Sequence, residues 1–354
     1  MRIYAFEEAG GAACESTVET PEPTGHEVLL RLTHSGVCHS DVHIRDGIGS
    51  GALRYPVVAG HEMAGEVVAV GPEVTGAREG DVRLVYPWLG CGACASCRAG
   101  EDDRCAEHRF LGVHRFGGYA EAVLVPHERY LLDIEGLDRG WAATLACSGL
   151  TAYSAVAKAL GGHPDDSRDS DDSRDSDEEI VVIGAGGVGL MGIAVLTALG
   201  RRRITAVDVN DERLGLARGL GAARTVGSGS GGDARAALLD ATGGGAAGVV
   251  DFVNSGETAR LGFDVLRRDG RLIQVGLFGG ELTLPTALMP SKRLTLRGSF
   301  VGSLAELGEV VALARSGRLP QTPIVTRPLT ADGVNAALEG LARGTVPGRV
   351  VLTP

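Results

Sequence analysis

The sequence predicts an α/β protein whose C-terminal half is a doubly wound parallel sheet. From residue 180 onward, short apolar runs alternate with helical segments, the pattern of strands joined by crossover helices. The first run ends in a glycine-rich turn, Gly184-Ala185-Gly186-Gly187-Val188-Gly189. A third observation sets the two halves apart. All seven cysteines lie at or before Cys147 and all nine histidines at or before His163, so metal and acid–base chemistry is expected of the N-terminal part. With 354 residues, and about 150 per domain, two domains are expected.

The parallel half opens with Glu179–Ile183, an apolar run suited to a buried strand. In the G-x-G-x-x-G turn, Gly184 permits the tight bend, Gly186 lets the backbone approach a pyrophosphate, and Gly189 lets helix and strand pack closely. A helix through Leu199 then presents its free N–H groups to the phosphates. The second strand, Ile204–Val207, ends at Asp208, 19 residues after Gly189. That is close to the spacing of an acid that accepts hydrogen bonds from an adenosine ribose. Its charge would repel a 2′-phosphate, and Val209 rather than an arginine follows it, so NAD is expected over NADP. A helix over Asp211–Leu220, a strand over Val249–Phe252, a helix over Glu257–Arg268 and strands over Arg271–Val275 and Thr295–Ser299 continue the alternation. Ligands bind beyond the carboxyl ends of such strands, which puts Val275 beside a nicotinamide.

The chain is 44% hydrophobic and 22% charged, with a formal net charge of −11. That composition excludes a disordered chain and argues against a nucleic-acid partner. Ile180–Gly200 is 21 residues without a charge, long enough to cross a bilayer. Its glycines at Gly184, Gly186, Gly187, Gly189 and Gly192 favour strand, turn and helix, so no membrane span is expected. Met1–Gly10 lacks the apolar core of a secretory signal. A cytoplasmic location is therefore expected, with the cysteines as metal ligands or buried thiols. Between the halves, Asp-Asp-Ser-Arg-Asp-Ser occurs twice over 165–176. The segment His163–Glu179 carries nine acids and two arginines and is expected to be a solvated, disordered loop.

Cys91, Cys94, Cys97 and Cys105 form C-x2-C-x2-C-x7-C, interleaved with Gly90, Gly92 and Gly100. Four thiols in one glycine-rich loop suit a closed, structural tetrahedral zinc. An iron–sulfur cluster and a disulfide pair are the competing readings. Three other segments carry reactive groups. Gly36–His43 puts a thiol, two imidazoles, a hydroxyl and a carboxylate in eight residues; Gly60-His61-Glu62 pairs imidazole with carboxylate; Cys147 stands in Ala146-Cys147-Ser148-Gly149. Singly, each reads as ordinary core, since a lone buried cysteine or histidine is usually packing.

In their joint order these segments resemble the zinc-dependent medium-chain alcohol dehydrogenases over essentially the whole chain. The resemblance rests on Gly36-Val37-Cys38-His39-Ser40-Asp41, Gly60-His61-Glu62, the four-cysteine lobe, Cys147-Ser148-Gly149-Leu150-Thr151 and the Gly184 turn. Pro87-Trp88 and Val275-Gly276-Leu277-Phe278-Gly279 look most like the tetrameric archaeal and bacterial enzymes for primary and secondary alcohols. The resemblance implies a GroES-like β-barrel catalytic domain, residues 1–152 with a return segment 291–354, and a Rossmann NAD-binding domain, residues 153–290. It also implies two zincs per subunit in a homo-oligomer, dimer or tetramer. Cys38, His61 and Cys147 would hold the catalytic zinc with a fourth position open, and the four-cysteine lobe the structural one. Glu62 is implied as an outer or transient ligand, and Asp41 as the carboxylate that orients His61. Ser40 would take the alcohol's proton and pass it through the ribose to His43. His39 and Arg349 would face the pyrophosphate, and Thr151 the nicotinamide. An arginine often stands at the place of His39, whose other reading is a plain surface histidine. Zinc would act as Lewis acid and the nicotinamide as hydride acceptor on a small alcohol, aldehyde or ketone. Trp88 and Phe110 are expected to line an apolar pocket. The acidic repeat departs from the family pattern and leaves these motifs intact.

Rival readings remain on the same residues. A polyol or sugar dehydrogenase would commonly carry a glutamate as third ligand, so Cys147 counts against it. A zinc-free quinone reductase would lack the ligand set. A catalytically silent NAD-binding redox protein, with the acidic loop as docking segment, is disfavoured by the intact ligands and relay. Cys14 belongs to neither metal site and is expected to be a buried thiol.

Overall fold

The computed structural model describes residues 1–48, 53–162, 178–229 and 233–354. Of the loop expected over 163–179, residues 163–177 lie outside the described residues. Glu179 departs from the expected solvated loop. Only 4% exposed, its carboxylate accepts Arg203 Nε at 3.0 Å, Arg224 Nη1 at 3.3 Å and Thr205 Oγ1 at 2.9 Å. It therefore ties together the starts of three neighbouring strands.

The chain divides into two compact units. One comprises Met1–Cys147, Gly302–Arg315 and Pro323–Pro354; the other comprises Ser148–Val301 and Ser316–Thr322. The boundaries expected at 152 and 291 thus move to 147 and 301. The physical reason is at Thr295–Gly298, which pairs in parallel with Leu266–Gln274, so the chain leaves that sheet only afterwards.

In the second unit six parallel strands lie in the spatial order Arg224–Gly227, Ile204–Asp208, Ile180–Ile183, Ala246–Asp251, Leu266–Gln274, Thr295–Gly298. In chain order that is 3-2-1-4-5-6, the doubly wound arrangement with a switch point between the first and fourth strands. Val181, Ile183, Val207, Val249, Leu272 and Phe263 pack in its buried core. Helix Gly187–Ala198 is buried over most of its length, which explains its uninterrupted apolar sequence. Two expectations shift. The helix expected over Glu257–Arg268 ends at Asp264, and Leu266–Gln274 is one strand. Its exposed charges Arg267, Arg268 and Asp269 sit on a bulge, with Asp269 at φ 63°. Strand Arg224–Gly227 and helix Ala234–Ala241 were not anticipated; both are short, and each is largely exposed.

The first unit is built on a seven-stranded, mostly antiparallel sheet. Cys14, expected to be a buried thiol, is exposed instead, because it lies on strand Ala13–Thr17, which buries only Ala13. Its longest member, Val28–Val37, pairs with Glu62–Val70 on one side and Arg349–Thr353 on the other. Gly36 lies opposite Glu62 in that register. A core of Tyr4, Phe6, Val37, Val58, Tyr119, Leu338 and Val350 packs beside the sheet. Each such side chain contributes roughly 1.5–3 kcal/mol by leaving water.

The glycine turn yields a direct test. Gly184 has φ 88°, and a Cβ on Gly189 would lie 1.7 Å from the Gly184 carbonyl oxygen, whereas one on Gly186 would meet nothing within 4 Å. Gly189→Ala should destabilise the protein by ~2–3 kcal/mol in denaturant unfolding, because helix and strand must part. Gly186→Ala should unfold like the parent. Equal midpoints for the two variants would show that the helix can slide without cost.

Candidate active site

Strand register delivers the first two sulfur and nitrogen donors. Val28–Val37 runs directly into Cys38 and helix His39–Arg45, and Glu62–Val70 starts directly after His61. The crossing is so close that a Cβ on Gly36 would stand 2.0 Å from Glu62 Oε2. Cys147 arrives on a wide helical turn, Leu145–Gly149, that follows helix Arg139–Thr144. Wide turns of this kind recur at functional sites. The Trp88 indole N–H donates to the Ala146 carbonyl at 3.1 Å and so fixes the residue before the thiol.

Donor atoms of Cys38, His61 and Cys147 lie within 4.8 Å of one another, and the three residues are 7%, 1% and 6% exposed. Cys38 Sγ and Cys147 Sγ are 4.0 Å apart. Two sulfurs about 2.3 Å from one tetrahedral ion would stand about 3.8 Å apart, against about 2.05 Å in a disulfide. The donor set therefore fits a zinc ion. The hydrogen bond from Cys147, with Arg349 and His61 nearby, holds the Cys38 thiol well below its ordinary pKa, and the same bond raises Cys147.

Asp41 is fully buried beneath this set. Its Oδ2 accepts the Cys38 N–H at 2.8 Å and the Tyr119 hydroxyl at 3.0 Å, and its Oδ1 accepts the Gly60 N–H at 3.3 Å. His61 Nδ1 stands 3.2 Å from Oδ1, a charge contact off the hydrogen-bond axis. Burial opposes charge on His61, yet Asp41 and Cys38 outweigh it and raise its pKa. Burial, with Asp41 beside it, also pushes the Tyr119 phenol up, so it stays a donor. Glu62, fully buried, is clamped by the Arg349 guanidinium, with Nε at 3.0 Å from Oε2 and Nη2 on Oε1. Burial raises the Glu62 pKa against the pull of Arg349. Arg349, which the resemblance sets against a pyrophosphate, is itself 4% exposed and committed to this pair.

Ser40 Oγ is 3.4 Å from His61 Nε2, at the far edge for a hydrogen bond. His43 follows one helical turn later, and its ring meets that of the exposed His39 edge-on at 5.3 Å. Burial lowers the His39 pKa, and His43 beside it adds to the shift. Trp88 packs 5.3 Å from the His61 ring and 5.2 Å from Phe110.

In the four-cysteine lobe, Sγ separations are 3.4 Å for Cys94–Cys97, 3.8 Å for Cys94–Cys105 and 4.0 Å for Cys91–Cys97. These bracket the tetrahedral spacing and fit one ion, not a disulfide pair. Backbone N–H groups of Ala93 and Cys94 lower Cys91 to about 7, and burial raises Cys97 to about 12. A cavity of about 550 Å³ beside the lobe is lined by Cys91, Arg109, Arg115 and Arg129, whose charge would offset that of four thiolates; Cys38, His61 and Cys147 do not border it. His26, His127 and Glu128 also cluster. Their imidazole planes are 4° from parallel at 4.4 Å, and His127 Nδ1 already accepts the Arg129 N–H, so one ion cannot lie in both rings. The cluster is a stacked surface pair.

In the second unit Asp208, 7% exposed, accepts the Ala185 N–H at 2.7 Å and so braces the glycine turn. Arg213 Nη1 lies 4.0 Å away, an arginine that inspection of the next residue alone had missed. Thr151 lies half-buried on helix Leu150–Ala159. Val275, also half-buried, donates its N–H to the Asp251 carbonyl at 2.9 Å. Tyr119 and the Glu62–Arg349 pair escaped sequence reasoning. Only the adjacency of Glu62 to His61 hinted at the second.

Residues 24–135 match the family model described as the alcohol dehydrogenase GroES-like domain, and residues 187–316 that described as zinc-binding dehydrogenase. The chain is 36% identical to an NAD-dependent alcohol dehydrogenase of Sulfurisphaera tokodaii, covering 100% of both proteins. It is 34% identical to a D-arabinose 1-dehydrogenase (NADP(+)) of Saccharolobus solfataricus, over 95% of this chain and 93% of that one. Among solved structures, the alcohol dehydrogenase of Aeropyrum pernix matches with a TM-score of 0.89 at 32% identity, covering 100% of each chain. Among the described residues no helix is long and apolar enough to cross a membrane.

The buried ion pair generates its own prediction. Arg349→Leu strands the Glu62 carboxylate in a dry site and should cost about 3–5 kcal/mol in denaturant unfolding. Adding Glu62→Gln should recover part of the loss. A single variant as stable as the parent would show that water reaches Glu62.

Proposed function

The chain belongs to the zinc-dependent medium-chain alcohol dehydrogenase family, NAD-dependent oxidoreductases of alcohols, and from that premise we propose how its residues divide the task. Cys38, His61 and Cys147 hold the catalytic zinc, and Cys91, Cys94, Cys97 and Cys105 a second, structural one. The convergence of three buried donors within 4.8 Å is the observation that carries this reading. When bound, zinc supplies Lewis-acid polarisation of a substrate oxygen and NAD supplies the hydride acceptor.

The chain's own groups do the rest. Asp41 keeps the His61 ring turned, and Glu62 with Arg349 holds the charge balance behind the ligands. The Ser40 hydroxyl, 3.4 Å from His61 Nε2, takes the substrate proton as it gives up its own, which would travel by way of the ribose to His43 and on to water. Trp88 and Phe110 present an apolar wall that favours primary and secondary alcohols over sugars. Gly184, Gly186 and Gly189 cradle the pyrophosphate, with the neutral His39 imidazole as a hydrogen-bond donor to it; Arg349, held by Glu62, takes no part there. Thr151 and Val275 meet the nicotinamide, and Asp208 the ribose. We further infer a cytoplasmic homo-oligomer. The sugar reading is favoured by the D-arabinose relative and disfavoured by Cys147 in the ligand set.

A kinetic panel of primary, secondary, cyclic and benzylic alcohols plus D-arabinose, each with NAD and NADP, tests the reading. Alcohols with NAD should give the highest kcat/KM; a higher value with NADP would sink the cofactor assignment, and faster turnover of D-arabinose would establish the sugar reading. Asp208→Gly should narrow the NAD preference. The two metal sites should fail differently. Cys38→Ser should abolish turnover while fold, NAD binding and one zinc remain. Cys97→Ser should lower Tm, because folding of a one-loop site is coupled to its metal. The reverse pattern by metal analysis and calorimetry would exchange the two assignments.

A further inference from the structure

We propose that Tyr119 is a positioning residue for the catalytic zinc. Its hydroxyl on Asp41 and its ring on Gly60 hold the two segments that supply Cys38 and His61 in ligand register. The proposal rests on the reading of Cys38, His61 and Cys147 as zinc ligands.

Asp41 hydrogen-bonds to both segments, accepting the Cys38 N–H on Oδ2 and the Gly60 N–H on Oδ1 beside His61. Its grip depends on both oxygens being used. The Tyr119 hydroxyl is the second donor to Oδ2, at 3.0 Å. Without it that oxygen keeps one N–H, in a place where Asp41 has no exposed surface. A buried carboxylate that loses a donor is held less firmly, so Oδ1 is less tightly fixed beside His61 Nδ1. The ring acts separately. A Cβ on Gly60 would lie 2.7 Å from Tyr119 Cδ1, so the ring lies directly against the backbone one residue before His61. Tyr119 is itself anchored from two sides. Its N–H donates to the Ala59 carbonyl at 3.0 Å, and its carbonyl accepts the Tyr4 N–H at 2.8 Å. No metal-ligating atom touches its hydroxyl, so its effect passes through Asp41.

The holoenzyme carries an internal control, since the hydrogen bonds of Tyr119 go to Asp41, Ala59 and Tyr4 and not to the four-cysteine lobe. Zinc release from native protein is followed with a chromogenic chelator, comparing Tyr119→Phe with the parent. The zinc lost on Cys38→Ser should be held about tenfold less tightly in Tyr119→Phe, the size expected for a group that orients a ligand. The four-cysteine zinc should leave at the parental rate. Turnover should return when zinc is resupplied in excess, because the hydroxyl does not reach the reacting atoms. Unchanged release of the first zinc overturns the proposal; equal acceleration of both zincs does so too, since it marks general loosening. Asp41→Asn approaches the clamp from its other end. It should speed release of the same zinc, and Tyr119→Phe added to it should change nothing more. If Asp41→Asn retains zinc like the parent, the clamp does not exist, whether or not Tyr119→Phe folds. A parent protein that holds no zinc sensitive to Cys38→Ser sinks the ligand reading itself and is seen before Tyr119 is tested.

Discussion

The antiparallel register between Val28–Val37 and Glu62–Val70 is the constraint on which the site depends. Gly36 faces Glu62, so Cys38 and His61 leave the two strands side by side. A slip of one residue would turn every side chain of one strand to the opposite face and separate the ligands. The register is held from both faces. Val28, Leu30 and Leu32 are buried on one strand, and Gly36 leaves the space that Glu62 occupies. Glycine is required there by contact, not by backbone angle.

Charge is the second organising force. Asp41, Glu62, His61 and Arg349 are all 4% exposed or less, in a region that also contains two thiols. Such a set is costly to bury, and apolar residues of similar volume would give a more stable core. Its members are therefore best understood as holding positions. Arg349 offsets Glu62, Asp41 offsets His61, and the depressed Cys38 thiol is left as the site's readiest anion. A divalent cation would complete that balance.

The two donor sets would solve the same coordination problem differently. The lobe gathers four sulfurs from one loop, braced by Asp102, whose buried carboxylate accepts Arg129 Nη2 and the Tyr130 hydroxyl at 2.8 Å each. A bound ion would add to these contacts and to the short helix Ala95–Arg98 in ordering so glycine-rich a segment. The other centre draws its donors from two strand ends and a wide helical turn, each ordered by its own hydrogen bonds. Its shape belongs to the fold and does not wait on an ion.

The sequence by itself determined the parts whose physics is local. The parallel strands were legible because apolar runs and the glycine turn follow from backbone geometry over a few residues. The four-cysteine lobe was legible because its spacing is its geometry. Cys38, His61 and Cys147 stood out only through resemblance to a family, since three lone residues far apart carry no local signal. Tertiary structure alone decided the rest. The chain returns to the first unit at Gly302 because Thr295–Gly298 pairs with the parallel sheet. Glu179 is a buried clamp because Arg203, Thr205 and Arg224 surround it, although it ends an acidic run in the sequence. Arg349 meets Glu62 across 287 residues, and Tyr119 meets Asp41 across 78. Periodicity reports which face a side chain takes; it does not report which distant side chain shares that face, and hydrogen bonds between such partners exist only once the strands have paired.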